Sequence, residues 1–187
     1  MLEARKVGVW RDRYAISADG RQIAVWDGSL WTAGGRFELD GRRYEVRGNL
    51  WGSRYGMVGQ DGVPVAVANG VGRKRWTVEA NGRTYDFQRA SLWREEQELR
   101  YDGRRLGSVK RTSIWRGDAV ADLPGVPLPV QIFVLAVVLT MWDWSSGGGA
   151  GAVIAGTVIA GTVIAGTVIA GTVIAGTVIA GTVIAAG

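Results

Sequence analysis

Gly35-Arg-Phe-Glu-Leu-Asp-Gly-Arg-Arg-Tyr-Glu-Val-Arg47 alternates apolar and charged side chains on both sides of an Asp-Gly pair. Alternation with a period of two turns one face of a strand towards a core. Asp-Gly supplies the positive φ angles of a tight hairpin turn. The stretch is a β-hairpin, and the same signal recurs on either side of it. Turn pairs stand at Asp19-Gly20, Asp40-Gly41, Asp61-Gly62, Asn81-Gly82 and Asp102-Gly103, with their glycines 21, 21, 20 and 21 residues apart. Arg75-Trp-Thr-Val-Glu79 and Arg83-Thr-Tyr-Asp-Phe87 flank the fourth pair as strands. Tryptophans keep the same beat. Trp10, Trp31, Trp51 and Trp93 each precede a turn glycine by ten or eleven residues, Trp115 continues the series, and Val71 fills the missing place. A fixed place in each hairpin implies packing in the core or at its rim, rather than stacking on bases or lying at a bilayer interface.

A strand-turn-strand unit repeated every 21 residues is a β-meander, and such sheets close on themselves to remove their edges. Five hairpins supply ten strands, and Ser113 to Leu123 offers another. The expected fold is mainly β, a closed antiparallel barrel of about twelve strands. The pattern then changes to Leu128-Pro-Val-Gln-Ile-Phe-Val-Leu-Ala-Val-Val-Leu-Thr-Met-Trp142, apolar nearly all round, with Pro127 and Pro129 suited to a helix start. As a helix this run reaches only ~22 Å against roughly 30 Å of hydrocarbon. It is therefore expected as a central helix, spanning about residues 127–142, buried inside the barrel.

The domain plan is a barrel over residues 1–144, a Ser/Gly linker over 145–150 and a low-complexity tail over 151–187. In the tail, Gly151-Ala-Val-Ile-Ala155 precedes six perfect copies of Gly-Thr-Val-Ile-Ala. Its uncharged residues suit a marginal membrane helix, aggregation-prone strands or the start of a solenoid.

Composition narrows the chemistry. The chain has no histidine and no cysteine. That removes Cys/His zinc sites, Ser-His and Cys-His catalysis, disulfides and the usual haem and iron–sulfur ligands. Net charge is +5, and only Lys6, Lys74 and Lys110 of the 22 basic residues are lysines. An arginine-rich surface can meet phosphates, and it can equally reflect a GC-rich genome. The first residues have no apolar signal-peptide core, so a cytoplasmic location, peripheral at the membrane, is expected.

Four basic clusters stand out: Arg42-Arg43, Arg73-Lys74-Arg75, Arg104-Arg105 and Lys110-Arg111. Arg42, Arg43, Arg104 and Arg105 directly follow turn glycines and read as solvated turn flanks. Arg73, Lys74 and Arg75 sit where the hairpin rhythm breaks and form the candidate anionic-lipid patch. Glu95, Glu96 and Glu98 read as cross-strand partners of arginines rather than as acid/base groups. Arg116-Gly117-Asp118 reads as a turn. The Gly147–Gly151 run follows a helix, so it lacks the strand-turn-helix context of a nucleotide site.

Serial Trp-marked hairpins, then Asp118 to Leu123-Pro124, then a Pro-flanked apolar helix ending near Asp143, resemble the tubby C-terminal-like superfamily. This group includes the LURP-one-related proteins and the phospholipid scramblases. The resemblance covers roughly residues 1–144. It implies a twelve-stranded barrel with a hydrophobic helix along its axis. It also implies a non-enzymatic, lipid- or membrane-associated module, with a soluble scaffold or regulatory protein-binding domain as the alternative. Its partners would be anionic phospholipid headgroups or protein, and no nucleic acid is expected. No catalytic residue, cofactor or metal ligand is implied. Asp118 and Asp122 only echo the acidic segment of scramblases, and the phosphoinositide-binding residues of tubby have no aligned match here. Family members return from the helix into a last strand. Here Trp142-Asp-Trp144 runs into serine and glycine, so that strand is missing unless Gly151 to Ala160 supplies it.

Overall fold

In most strands inward and outward residues alternate and so declare the core face, while the strands Glu96–Tyr101 and Arg104–Arg111 carry consecutive buried residues around a bulge. In the computed structural model the described residues are 1–7, 13–29, 33–90, 95–113 and 117–145. Expectations for Trp10, Trp31, Trp93, Trp115, Arg116, the Gly147–Gly151 run and the 151–187 repeats lie outside them. The chain divides into two units, Met1–Trp142 and Asp143–Gly187. The first holds the barrel.

The strands are β1 (Leu2–Lys6), β2 (Arg13–Ala18), β3 (Arg21–Gly28), β4 (Gly34–Leu39), β5 (Arg42–Gly48) and β6 (Arg54–Gly59). They continue with β7 (Pro64–Asn69), β8 (Arg75–Ala80), β9 (Arg83–Arg89), β10 (Glu96–Tyr101), β11 (Arg104–Arg111) and β12 (Ala119–Asp122), and helix α1 (Leu128–Ser145) follows. All pairings are antiparallel between sequence neighbours, and β1 pairs with β12 to close the barrel. That closure corrects the expectation of a missing last strand. The seam is Leu2 opposite Ala121, Glu3 opposite Val120 and Ala4 opposite Ala119. The first five-residue strand carries no turn signal, yet Leu2 and Ala4 are buried as an inward pair. At Gly107 on β11 an added Cβ would collide with the Asp122 carbonyl, so only glycine lets β12 lie this close.

The turns form as the dipeptides predict. Asp19, Asp40, Asn81 and Asp102 have φ of 49–52°, and each is followed by a glycine at positive φ, the type I′ pattern. The third turn differs. The Gly62 N–H donates to the Gly59 carbonyl at 2.9 Å, and the Gly59 N–H donates to the Val63 carbonyl at 2.9 Å. Only Gly62 has positive φ there, which makes a three-residue loop with a bulge.

Inward positions carry rings at Tyr14, Trp26, Phe37, Tyr44, Tyr55, Trp76 and Phe87 and small residues at Ala4, Ala66, Ala68, Ala119 and Ala121. Two directly opposed pairs stack: Phe37 on Tyr44 at 4.9 Å and Trp76 on Phe87 at 4.5 Å between ring centroids. The buried Trp76 indole N–H donates to Gln97 Oε1 at 3.0 Å, which satisfies the polar end of the ring. Burial pushes the Tyr55 phenol up to about 12. Outward positions such as Arg36, Glu38, Arg43, Glu45 and Arg47 are exposed charges, where a lipid-facing strand would be apolar.

Helix α1 fills the lumen. Every residue from Ile132 to Leu139 is at most 1 % exposed, and eight consecutive residues cover all faces of a helix. Only a surrounding barrel can bury them all. Pro129 sits in the first turn, where no N–H is needed, and the Pro127 carbonyl accepts from the Val130 and Gln131 N–H groups. The helix ends at Ser145 rather than near residue 142, so Ser145 belongs to it and not to the linker. Trp142-Asp-Trp-Ser offers no breaker, and the first glycine is Gly147. Among the described residues no helix is long and apolar enough to cross a membrane.

Candidate functional site

The meander topology sorts its connections. The five Asp/Asn-Gly turns and the start of α1 lie at one end of the barrel, the turn end. The connections β1–β2, β3–β4, β5–β6, β7–β8, β9–β10 and β11–β12 lie at the other, the connection end.

Arg73, Lys74 and Arg75 occupy the β7–β8 connection and the first residue of β8, and all three are exposed. The segment is firmly held. Val71 is 4 % exposed and plugs the rim. Its N–H donates to the Ser53 carbonyl at 3.0 Å, and the Arg73 N–H donates to the Gly70 carbonyl at 3.1 Å. From β9, the Arg89 guanidinium donates to the Gly72 carbonyl at 2.8 Å and the Arg89 N–H donates to the Lys74 carbonyl at 3.0 Å. Val71 and the arginine bonds thus fix where the basic side chains begin.

Arg73 and Arg75 border an open groove of about 770 Å³ on the outer face of β8, β9 and β10. Pairing brings further residues to it: Gln88 lies opposite Arg75, and Asp86 lies opposite both Thr77 and Arg100. The lining includes Arg73, Arg75 and Arg100 with Asp86 and Asp102, three guanidinium groups against two carboxylates. Arg100 is oriented by Glu98 at 2.7 Å and by the Gly103 carbonyl. Arg73 and Arg75 make no ion pair among the described residues, so their donors remain open to an anion. The structure therefore brings two members of the expected patch onto one groove and leaves Lys74 outside its lining. Arg100 and Gln88 were not singled out from the sequence. Strand register is what adds them.

Glu95, Glu96 and Glu98 pair with arginines as expected, and two arginines of the basic clusters, read from the sequence as solvated flanks, are drawn into those pairs. Arg105 bridges Glu96 at 2.8 Å and Glu98 at 3.3 Å. Arg111 is not a solvated cation: its side chain is 8 % exposed and it binds both oxygens of Glu95, at 3.1 and 2.9 Å. It also lies 5.1 Å from the Trp142 ring, a cation–π contact. Glu45 and Arg47 form an exposed pair on β5, whose hydrogen bond holds the Glu45 carboxyl below its usual range. Asp118 accepts from the Lys6 N–H at 3.2 Å, before β12, whereas Asp122 ends that strand.

Trp51 departs from the expected core or rim packing. It is 85 % exposed, beside Leu50 at 89 %. Among the described residues, the buried tryptophans are Trp26, Trp76 and Trp142, which stand outside the 21-residue series. Comparisons with known proteins return no matching family model, no matching curated protein and no matching solved structure.

Proposed function

We propose that this chain is a non-enzymatic, tubby-like module that binds the anionic headgroups of phospholipids and sits peripherally on a membrane. The observation that carries the reading is the pair of exposed arginines, Arg73 and Arg75, on a braced connection beside an open groove. Guanidinium groups bind phosphate oxygens in a bidentate fork, and a fixed starting point reduces the entropy lost on binding. Twelve strands around a buried helix match what the tubby-like resemblance implies for the fold, which supports the reading.

The test is sedimentation of the full chain with mixed phosphatidylcholine/phosphatidylserine vesicles. Binding should weaken steeply with salt, and R73E/K74E/R75E should weaken it by about a hundredfold, at about 1 kcal/mol per basic residue near the surface. Equal sedimentation of the triple variant would overturn the patch. No sedimentation of folded protein would favour a protein-binding regulatory domain instead.

A further inference from the structure

Leu50 and Trp51 are the most exposed large apolar side chains among the described residues, and they are adjacent. They form the tip of Asn49–Ser53, which joins β5 to β6 at the connection end. The tip is built rather than slack. Asn49 Oδ1 accepts from the Ser53 N–H at 2.9 Å and from the Arg54 N–H at 3.1 Å. Its amide nitrogen donates to Ser53 Oγ at 3.2 Å. The Asn49 N–H donates to the Arg54 carbonyl, and the Gly52 N–H to the Asn49 carbonyl. Gly52, at φ +61°, completes the reversal. One asparagine thus ties both ends of the loop and leaves residues 50 and 51 pointing outwards.

The next connection shows the alternative. Val71 holds the same place in the rhythm one hairpin later, yet it folds back and is 4 % exposed. The two connections touch through the Val71 N–H and the Ser53 carbonyl. The apolar tip therefore stands beside the connection that carries Arg73, Lys74 and Arg75, all exposed and cationic. An aliphatic–aromatic pair next to basic groups complements one surface in particular, the interfacial layer of an anionic bilayer. There an indole settles at headgroup depth with its N–H still hydrogen-bonded, and an aliphatic chain reaches the acyl boundary.

We infer that the Leu50–Trp51 tip is a membrane-insertion element, which sets the barrel on the bilayer with its connection end down. The inference rests on the proposed headgroup binding and adds depth and orientation to it. Leu50 enters the acyl boundary, Trp51 lies among the headgroups, and the basic connection meets the phosphates.

The chain has no cysteine, so a single introduced one is a unique labelling site. L50C and W51C, each in the full chain, carry a polarity-sensitive fluorophore, and Q60C at the opposite end of the barrel serves as the reference. With mixed phosphatidylcholine/phosphatidylserine vesicles, the probes at 50 and 51 should shift to the blue and lose quenching by aqueous iodide, while the probe at 60 stays unchanged. L50S/W51S should partition roughly ten- to a hundredfold less, with an unchanged melting temperature. If the protein sediments with the vesicles while the probes at 50 and 51 stay water-exposed, insertion is wrong and headgroup binding stands. An equal shift at 60 refutes the orientation. Folded protein that ignores the vesicles overturns both proposals.

Discussion

The two ends of the barrel are built from the same chain reversals and put to different use. At the turn end, two- and three-residue loops carry charges of both signs, Asp19 with Arg21, Asp40 with Arg42 and Asp102 with Arg104. Each residue there is committed to geometry: positive φ angles for the turn, charges on either side of it. At the connection end the spacing between strands is looser, and two neighbouring connections of similar length diverge. One folds Val71 into the rim, and the other holds Leu50 and Trp51 out. A reversal that must be tight leaves no choice of side chain, whereas a longer one can bear a binding element without disturbing the ladder. Fold information is therefore concentrated at the turn end, while the connection end carries the exposed Arg73 to Arg75 segment and the apolar tip.

That contrast depends on a rigid frame between the ends, and the largest effect should come from breaking the frame. Val134 and Leu135 are fully buried in α1. Val134→Asp or Leu135→Asp should unfold the barrel, because an unpaired buried charge costs several kcal/mol. Loss of the cooperative thermal transition is the expected readout. A folded V134C variant that reacts readily with a thiol reagent would show that the lumen is not closed around the helix.

A crossed pair of substitutions tests the division itself. Gly82 has φ +71°, with open space around it, so Gly82→Val should cost about 1–2 kcal/mol through backbone strain alone. Its melting temperature should fall by several degrees while vesicle binding is unchanged. L50S/W51S should do the reverse, altering stability by less than about 0.5 kcal/mol, because those side chains pack against little. Equal losses of stability at the two ends would erase the distinction.

The smallest effect should come from the tail. With β1 and β12 closing the barrel, no strand is left for the repeats to supply. Chains ending at Ser146 and at Ala160 should melt at the same temperature as the full protein. A drop for the shorter chain alone would give the first repeats a part in the barrel.

The hairpins were legible because each carries its own signal within a dozen residues. Positive-φ turn residues fix where the chain reverses, and the alternation fixes which side faces in. The helix was legible because a run apolar on every face has to be enclosed. Even Arg73 to Arg75 stood out, as the place where the rhythm broke. Local chemistry decided these features, so the sequence alone determined the ten hairpin strands, their turns and the central helix.

Other features were decided only by tertiary structure, because they depend on residues far apart in the chain. Closure pairs Leu2 with Ala121, a contact no turn announces. Arg111 looked like half of a surface cluster, and the fold gives it Glu95 and the Trp142 ring instead. Arg100 reaches the groove of Arg73 and Arg75 only through strand register. The fates of Trp51 and Val71, equal in the sequence rhythm, were settled by Asn49 bonding its own loop and by Val71 finding a hole at the rim. A periodic signal assigns equivalent positions along the chain. It does not say which of them finds a cavity, since cavities exist only once the sheet has closed.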